Sequence, residues 1–304
     1  MAIPPFSSPS AEVEEKPTLQ AGSPGLVRLN QGIAVRPEET ANIMAKWQTR
    51  LVVLAGGSGS GRATLMAALY QAFHGGHYAD YDFAGSQTLP GLEALSYRAR
   101  VESALGAPNV GRTLPRGGQA FFHLLLKDRR RETPVQSLLV SILAGEVFEA
   151  ITDSYQRLKE LAFVRRADIF AIVLDGARLG SPSERHDCAT RARLVLRACL
   201  DSGHVEPARI QLLTTKWDRV SAAGYVASSY VRQVEAELKG LSQRYGHDPA
   251  VIHTASLSKV LDVVPRHGLA ELLRSWFPDG GSTSPEPRGV MSARLFDHFG
   301  LKNG

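Results

Sequence analysis

Along the chain, short unbroken apolar runs alternate with stretches whose apolar residues recur every three or four positions. LVVLAG (Leu51–Gly56) is a β-type run that meets glycines, and ATLMAALYQAFHGG (Ala63–Gly76) has helical spacing closed by a Gly-Gly stop. FFHLLLK and VQSLLVSIL flank the polar stretch KDRRRETP, which predicts an antiparallel hairpin. DIFAIVLDG and ARIQLLTTKWD predict further buried strands, each preceded by a helix-like segment, and AVIHTAS predicts a last one. Pro37 followed by EETANIMAKW predicts a helix start, with proline in the first turn and acids where the helix dipole favours them. Strand, helix and strand in alternation give an α/β fold: a mostly parallel sheet with one antiparallel hairpin and helices on both faces.

The ends break this pattern. Residues 1–36 are rich in Pro, Ser, Gly and Glu with no sustained period, the composition of a flexible arm. GGSTSPEPRG repeats that signature, so the domain is expected over 37–278 with a flexible tail over 279–304. Net charge is +5 and the pI about 9.3, but the arginines are scattered, which does not point to a nucleic-acid partner. The cysteines are Cys188 and Cys199. On a helix they would lie roughly 16 Å apart, beyond disulfide reach, which fits a reducing cytoplasm. The N-terminus has no basic region followed by an apolar run, and no apolar stretch reaches roughly 18 residues, so neither secretion nor a membrane span is expected.

Chemistry concentrates first in LAGGSGSGRATL (Leu54–Leu65). A glycine-rich turn between the first strand and first helix of such a sheet aims backbone N–H groups at a bound anion. The phosphate-loop pattern is Gly, four residues, Gly-Lys, then Ser or Thr. Gly56 and Gly61 hold the glycine positions, Arg62 stands for the lysine and Ala63 for the hydroxyl residue. The backbone cradle survives this pattern, and Gly56, Gly59, Ser60, Gly61, Arg62 and Thr64 are its candidate phosphate-binding residues. The side-chain chemistry is damaged, because the missing hydroxyl is a direct Mg²⁺ ligand in such loops. Thr64 is turned roughly 100° from that position. Arginine keeps the charge, but its fork is no conservative replacement for an ammonium. An ordinary glycine-rich strand-to-helix turn stands as the alternative.

Downstream, Thr215-Lys216-Trp217-Asp218 follows an apolar strand and matches the Thr/Asn-Lys-x-Asp signature of GTP-binding proteins. Here the chain resembles the translation-factor-related class of phosphate-loop GTPases. The resemblance implies a three-layer fold and GTP or GDP as ligand. It also implies that Asp218 accepts hydrogen bonds from the guanine N1 and N2 groups while the Lys216 stem packs along the base. A carboxylate suits this because it offers two acceptors to two adjacent donors, a pair that adenine lacks. VIHTASLS resembles the segment that backs the base in the same class, with Thr254, Ala255 and Ser256 as candidates. The strand after the hairpin in this class carries Asp-x-x-Gly. Here Gly145 and Glu146 occupy that switch context, and Ile142 takes the aspartate's place. Thr113, in NVGRTLPRGG, is either the switch threonine or an ordinary loop residue. With Ala63 and Ile142 both lacking an oxygen, the Mg²⁺ requirement is open and hydrolysis is expected to be weak or absent.

The long segment between the first helix and GRTLP, the hairpin, LAGEVFE, and YQRLKELAFVRRAD leading into IFAIVLDG together resemble the bacterial double-GTPase family, type 2, over about Leu51 to Phe277. That resemblance implies a partner GTPase in multi-gene systems linked to defence or signalling. Two classes of function therefore stand side by side: a guanine-nucleotide switch with degenerate catalytic loops, and a nucleotide-free scaffold within an assembly. An active hydrolase using Arg62 is a third. Other features carry bland readings: KDRRRE as a solvated hairpin tip, HGGH (74–77) as a helix stop, His123 and His253 as core or surface histidines. Asp175-Gly176, at a strand's carboxyl end, is either a ligand-side position or a turn.

Overall fold

The computed structural model describes residues 32–104, 120–131, 134–142, 145, 147, 151, 161–256 and 266–277. Its centre is a seven-stranded sheet built from β1 (Thr49–Ala55), β2 (Tyr81–Gly85), β3 (Phe121–Asp128), β4 (Gln136–Ile142), β5 (Ile169–Asp175), β6 (Arg209–Thr215) and β7 (Ala250–His253), in the order β2-β3-β4-β1-β5-β6-β7. β4, β1, β5, β6 and β7 pair in parallel, while β3–β4 is the antiparallel hairpin foreseen from the apolar runs. β2 adds a second antiparallel pairing at the sheet edge. Every residue of β5 is buried, as expected of a central parallel strand covered on both faces.

Alternation along β1 distributes the core. Leu51, Val53 and Ala55 enter one apolar cluster with residues of the helices α1 (Thr40–Lys46), α4 (Gly176–Gly180), α5 (Arg185–Asp201), α6 (Trp217–Ala222) and α7 (Tyr225–Gln243). Val52 and Leu54 enter the other, with α2 (Arg62–Ala72), α3 (Leu89–Ala104) and α8 (Leu269–Trp276). The sheet is thus sandwiched between two helical layers, the three-layer architecture of phosphate-loop GTPases. Among the described residues, no helix is long and apolar enough to cross a membrane.

Several boundaries differ from the sequence pattern. β1 begins two residues earlier, at the half-buried Thr49 and Arg50. A 3-10 turn, Pro37–Glu39, precedes α1. Val35, assigned by composition to the arm, is fully buried and exchanges backbone hydrogen bonds with Phe121 at 2.8 and 2.9 Å. In YQRLKELAFVRRAD, Ala162–Arg166 is a 3-10 helix, and 155–160 lie outside the described residues. The hairpin tip reads as the charges suggested: Arg129 pairs with Asp82 and Arg130 with Asp80 and Asp128, all within 4 Å and mostly exposed. HGGH does end α2, through a 3-10 turn and Gly76 at φ +109°.

His123 is a core histidine. It is fully buried on β3, accepts the Gln87 N–H at Nδ1 (3.0 Å), and so carries its proton on Nε2, which faces Ser137 Oγ at 3.1 Å. Burial lowers its pKa from 6.5 to about 4. Protonation is therefore favoured in the unfolded chain, and stability is lost as pH falls from 6.5 towards 4, by about 3 kcal/mol once below both values. Urea midpoints at pH 7 and 4.5 check this: His123→Gln is expected to show a shallower acid loss than the unmutated protein.

Candidate functional site

β1 delivers the chain into the glycine-rich turn, and the backbone there permits only glycine at particular places. A Cβ on Gly56 would lie 2.7 Å from Val173 O and 2.9 Å from Ser60 Oγ. Gly61 caps α2 in the left-handed region at φ +86°. Gly59, at φ +74°, has nothing within 4 Å of where a side chain would begin, so the loop is open at that point. The first turn of α2 then presents backbone N–H groups that no preceding turn can satisfy. Arg62 is 7% exposed and its guanidinium donates to Gly57 O at 3.1 Å, holding the cation against the loop it follows. Ser60 is buried and its Oγ has no partner among the described residues, and Thr64 is half-buried on α2.

Of the switch candidates, Gly145 is described and Thr113 and Glu146 lie outside the described residues. Gly145 packs on the loop so closely that a Cβ would sit 2.3 Å from Ser58 N. It is therefore brought to the loop that its sequence context predicts.

At the other end, β6 runs into Thr215-Lys216-Trp217-Asp218. Thr215 Oγ1 donates to Ser60 O at 2.7 Å and to Leu174 O at 3.2 Å. Lys216 adopts the left-handed conformation at φ 54°, and its Nζ reaches Gly59 O at 2.8 Å and Asp175 Oδ2 at 2.6 Å. Asp175, 4% exposed, uses its other oxygen to cap α4, accepting from the N–H groups of Ala177 and Arg178 at 3.1 and 3.3 Å. The strand-end aspartate is thus the joint between α4 and Lys216, which in turn reaches the loop. Asp218 is 8% exposed in the first turn of α6, and among the described residues its carboxylate makes no hydrogen bond or ion pair.

The third candidate segment lies beside the second. Thr254 N–H donates to Thr214 O at 2.8 Å, Trp217 N–H donates to Thr254 O at 3.0 Å, and Ala255 N–H donates to His267 O at 3.1 Å. Thr254 and Ala255 are buried and Ser256 half-buried. A cavity of about 470 Å³ borders the loop at Gly56–Ser58 and Ser60 and reaches Asp175 and Cys188; among the described residues its walls do not include Lys216 or Asp218.

The donor set decides which ligand fits. Left-handed glycines, helix N–H groups at the start of α2, a cation against the loop and a carboxylate without a partner among the described residues suit a phosphorylated base with adjacent N–H donors. They do not suit Mg²⁺ at the positions the loop pattern assigns, because Ala63 is a methyl and Ile142 is a buried hydrocarbon packed in the core. Among the described residues, no group of three or more His, Cys, Asp or Glu side chains could hold a metal ion. Sequence reasoning gave no role to Glu235, which is buried on α7, or to the stacking of His253 on Trp217. The carboxylate's partners come from two other elements, so no local pattern exposes it.

Comparison with protein families gives one finding: the family described as Double-GTPase 2 matches residues 50–277. No curated protein matches the chain.

Proposed function

The chain belongs to the double-GTPase 2 family, and from that premise we propose that it binds GTP or GDP and acts as a nucleotide-dependent switch with impaired or absent hydrolysis. Gly56, Gly59, Ser60, Gly61, Arg62 and Thr64 would line the phosphates, and Lys216, Asp218, Thr254, Ala255 and Ser256 the base. The observation that carries the reading is the tie between the two ends of the site: Thr215 and Lys216 donate to the carbonyls of Ser60 and Gly59, which holds the glycine-rich loop beside the segment 215–218. Among the described residues the Asp218 carboxylate makes no hydrogen bond or ion pair, which leaves it available to a ligand. The double loss of oxygen donors at Ala63 and Ile142 supports binding without efficient phosphoryl transfer, since that reaction relies on a metal to neutralise developing charge. Thr113, Gly145 and Glu146 are the proposed switch residues. A partner protein, such as a second GTPase in a bacterial defence or signalling system, would read the switch, in a cytoplasm consistent with two free cysteines.

A second reading draws on one specific contact. Arg62 already spends a hydrogen bond on Gly57 O, which suits a loop that closes on itself in a nucleotide-free scaffold. Calorimetric titration of stripped protein with GDP, GTP and ATP, with and without Mg²⁺, separates the two. Guanine-selective binding that changes less than about threefold on removing Mg²⁺ is the expected result. Absence of binding to all three nucleotides would favour the scaffold, and steady phosphate release lost on Arg62→Ala would favour an active hydrolase.

A further inference from the structure

The ladder of β6 and β7 ends at the pair Thr214–His253, and the chains run on into the segments 215–218 and 254–256. Two backbone bonds, Thr254 N–H to Thr214 O and Trp217 N–H to Thr254 O, carry the pairing a little further. At this last rung side chains add to them. His253 Nε2 lies 2.9 and 3.1 Å from the two Glu235 oxygens, and Thr214 Oγ1 donates to Glu235 Oε1. One carboxylate from α7 therefore clips both strands where their ladder stops. The His253 ring, fixed on its edge, presents its face to Trp217: the centroids are 3.7 Å apart and the planes 5° from parallel. Trp217 is the residue between Lys216 and Asp218, and its N–H is bonded to Thr254 O. Behind His253, a Cβ on Gly268 would lie 1.9 Å from the His253 carbonyl, so the histidine backbone is pressed from that side as well.

A buried carboxylate is a costly way to fill space, and an apolar side chain of similar volume would pack at less cost. Glu235 is only 4% exposed, and its partners are the two residues from which the base-reading segments depart. We propose that Glu235, through His253 and Trp217, is a positioning residue for the guanine subsite, setting where Asp218 stands relative to the Thr254–Ala255 backbone. The inference rests on the reading of Asp218 as the guanine acceptor. Its consequence is selectivity: an Asp218 free to drift would lose its aligned hydrogen bonds to the base edge, while contacts to phosphates, common to all nucleotides, would persist.

The test is the ratio of GDP to ADP affinity in the full chain, measured by calorimetry. Glu235→Ala is expected to lower that ratio on the order of tenfold. Glu235→Gln, whose amide oxygen still accepts from His253, is expected to restore most of it. Trp217→Leu leaves the buried carboxylate with both partners and removes only the stacked platform; it too is expected to lower the ratio, and it carries the test if Glu235→Ala fails to fold. Equal weakening of GDP and ADP with the ratio unmoved in these variants overturns the proposal and leaves the guanine reading intact. An unmutated protein with no preference for GDP over ADP removes the guanine reading, and this proposal with it.

Discussion

Asp218→Ala is expected to abolish the preference for guanine over adenine nucleotides while leaving the fold unharmed. The residue is 8% exposed, and its carboxylate makes no hydrogen bond or ion pair among the described residues. Removing it takes away no hydrogen bond among them, and the thermal midpoint is expected to hold. With guanine bound, the same carboxylate would accept from two adjacent donors, and two charge-assisted hydrogen bonds are together worth about 3–5 kcal/mol. GDP affinity is therefore expected to fall by roughly a thousandfold and ADP affinity to change little. Titrations of both proteins with GDP and ADP check this, with the thermal midpoint as the control. A variant that keeps its guanine preference would show that another group reads the base.

How much of this was legible in sequence depends on how far apart the interacting residues lie. The central strand β5 was plain, because IFAIVL is an unbroken apolar run and burial on both faces writes itself into composition, and β6 was marked by the apolar Ile210, Leu212 and Leu213. β2 was not, since only Tyr81 of its five residues is buried and an edge strand has no full apolar face. α3 opens on Leu-Pro-Gly, which reads as a turn, although Gly91 is required there because a Cβ would lie 1.8 Å from Ile33 O. That contact also explains why the segment through Val35 belongs to the core despite its linker composition. The glycine loop and the Thr-Lys-Trp-Asp tetrapeptide were legible because backbone geometry and base recognition impose short patterns. The bonds joining them were not: Thr215 to Ser60 and Lys216 to Gly59 span more than 150 positions. Asp175 shows the limit most clearly. Its strand-end position is visible in sequence, yet its role depends on Lys216 arriving from the next strand.

That junction gives the second large effect. In Lys216→Met the ammonium that bridges Gly59 O and Asp175 Oδ2 is lost, and two consequences separate. Asp175 keeps its two capping hydrogen bonds but loses its counter-charge at 4% exposure, which is expected to cost about 1–2 kcal/mol once the partly open lysine is allowed for. The glycine-rich loop loses one of its two ties to the segment 215–218, and, on the proposed reading, the base loses the lysine stem that would pack along it. GDP affinity is expected to fall at least tenfold. Asp175→Asn distinguishes the two effects. Its remaining oxygen can still cap α4, but its amide meets the Lys216 ammonium donor to donor, so the tie to α4 is broken while Lys216 still reaches Gly59 O. If the bridge to the phosphate loop is what matters for ligand binding, Asp175→Asn lowers the denaturation midpoint like Lys216→Met yet retains most of the GDP affinity. Equal loss of GDP affinity in both would place the joint at Asp175 and make α4 part of the nucleotide site.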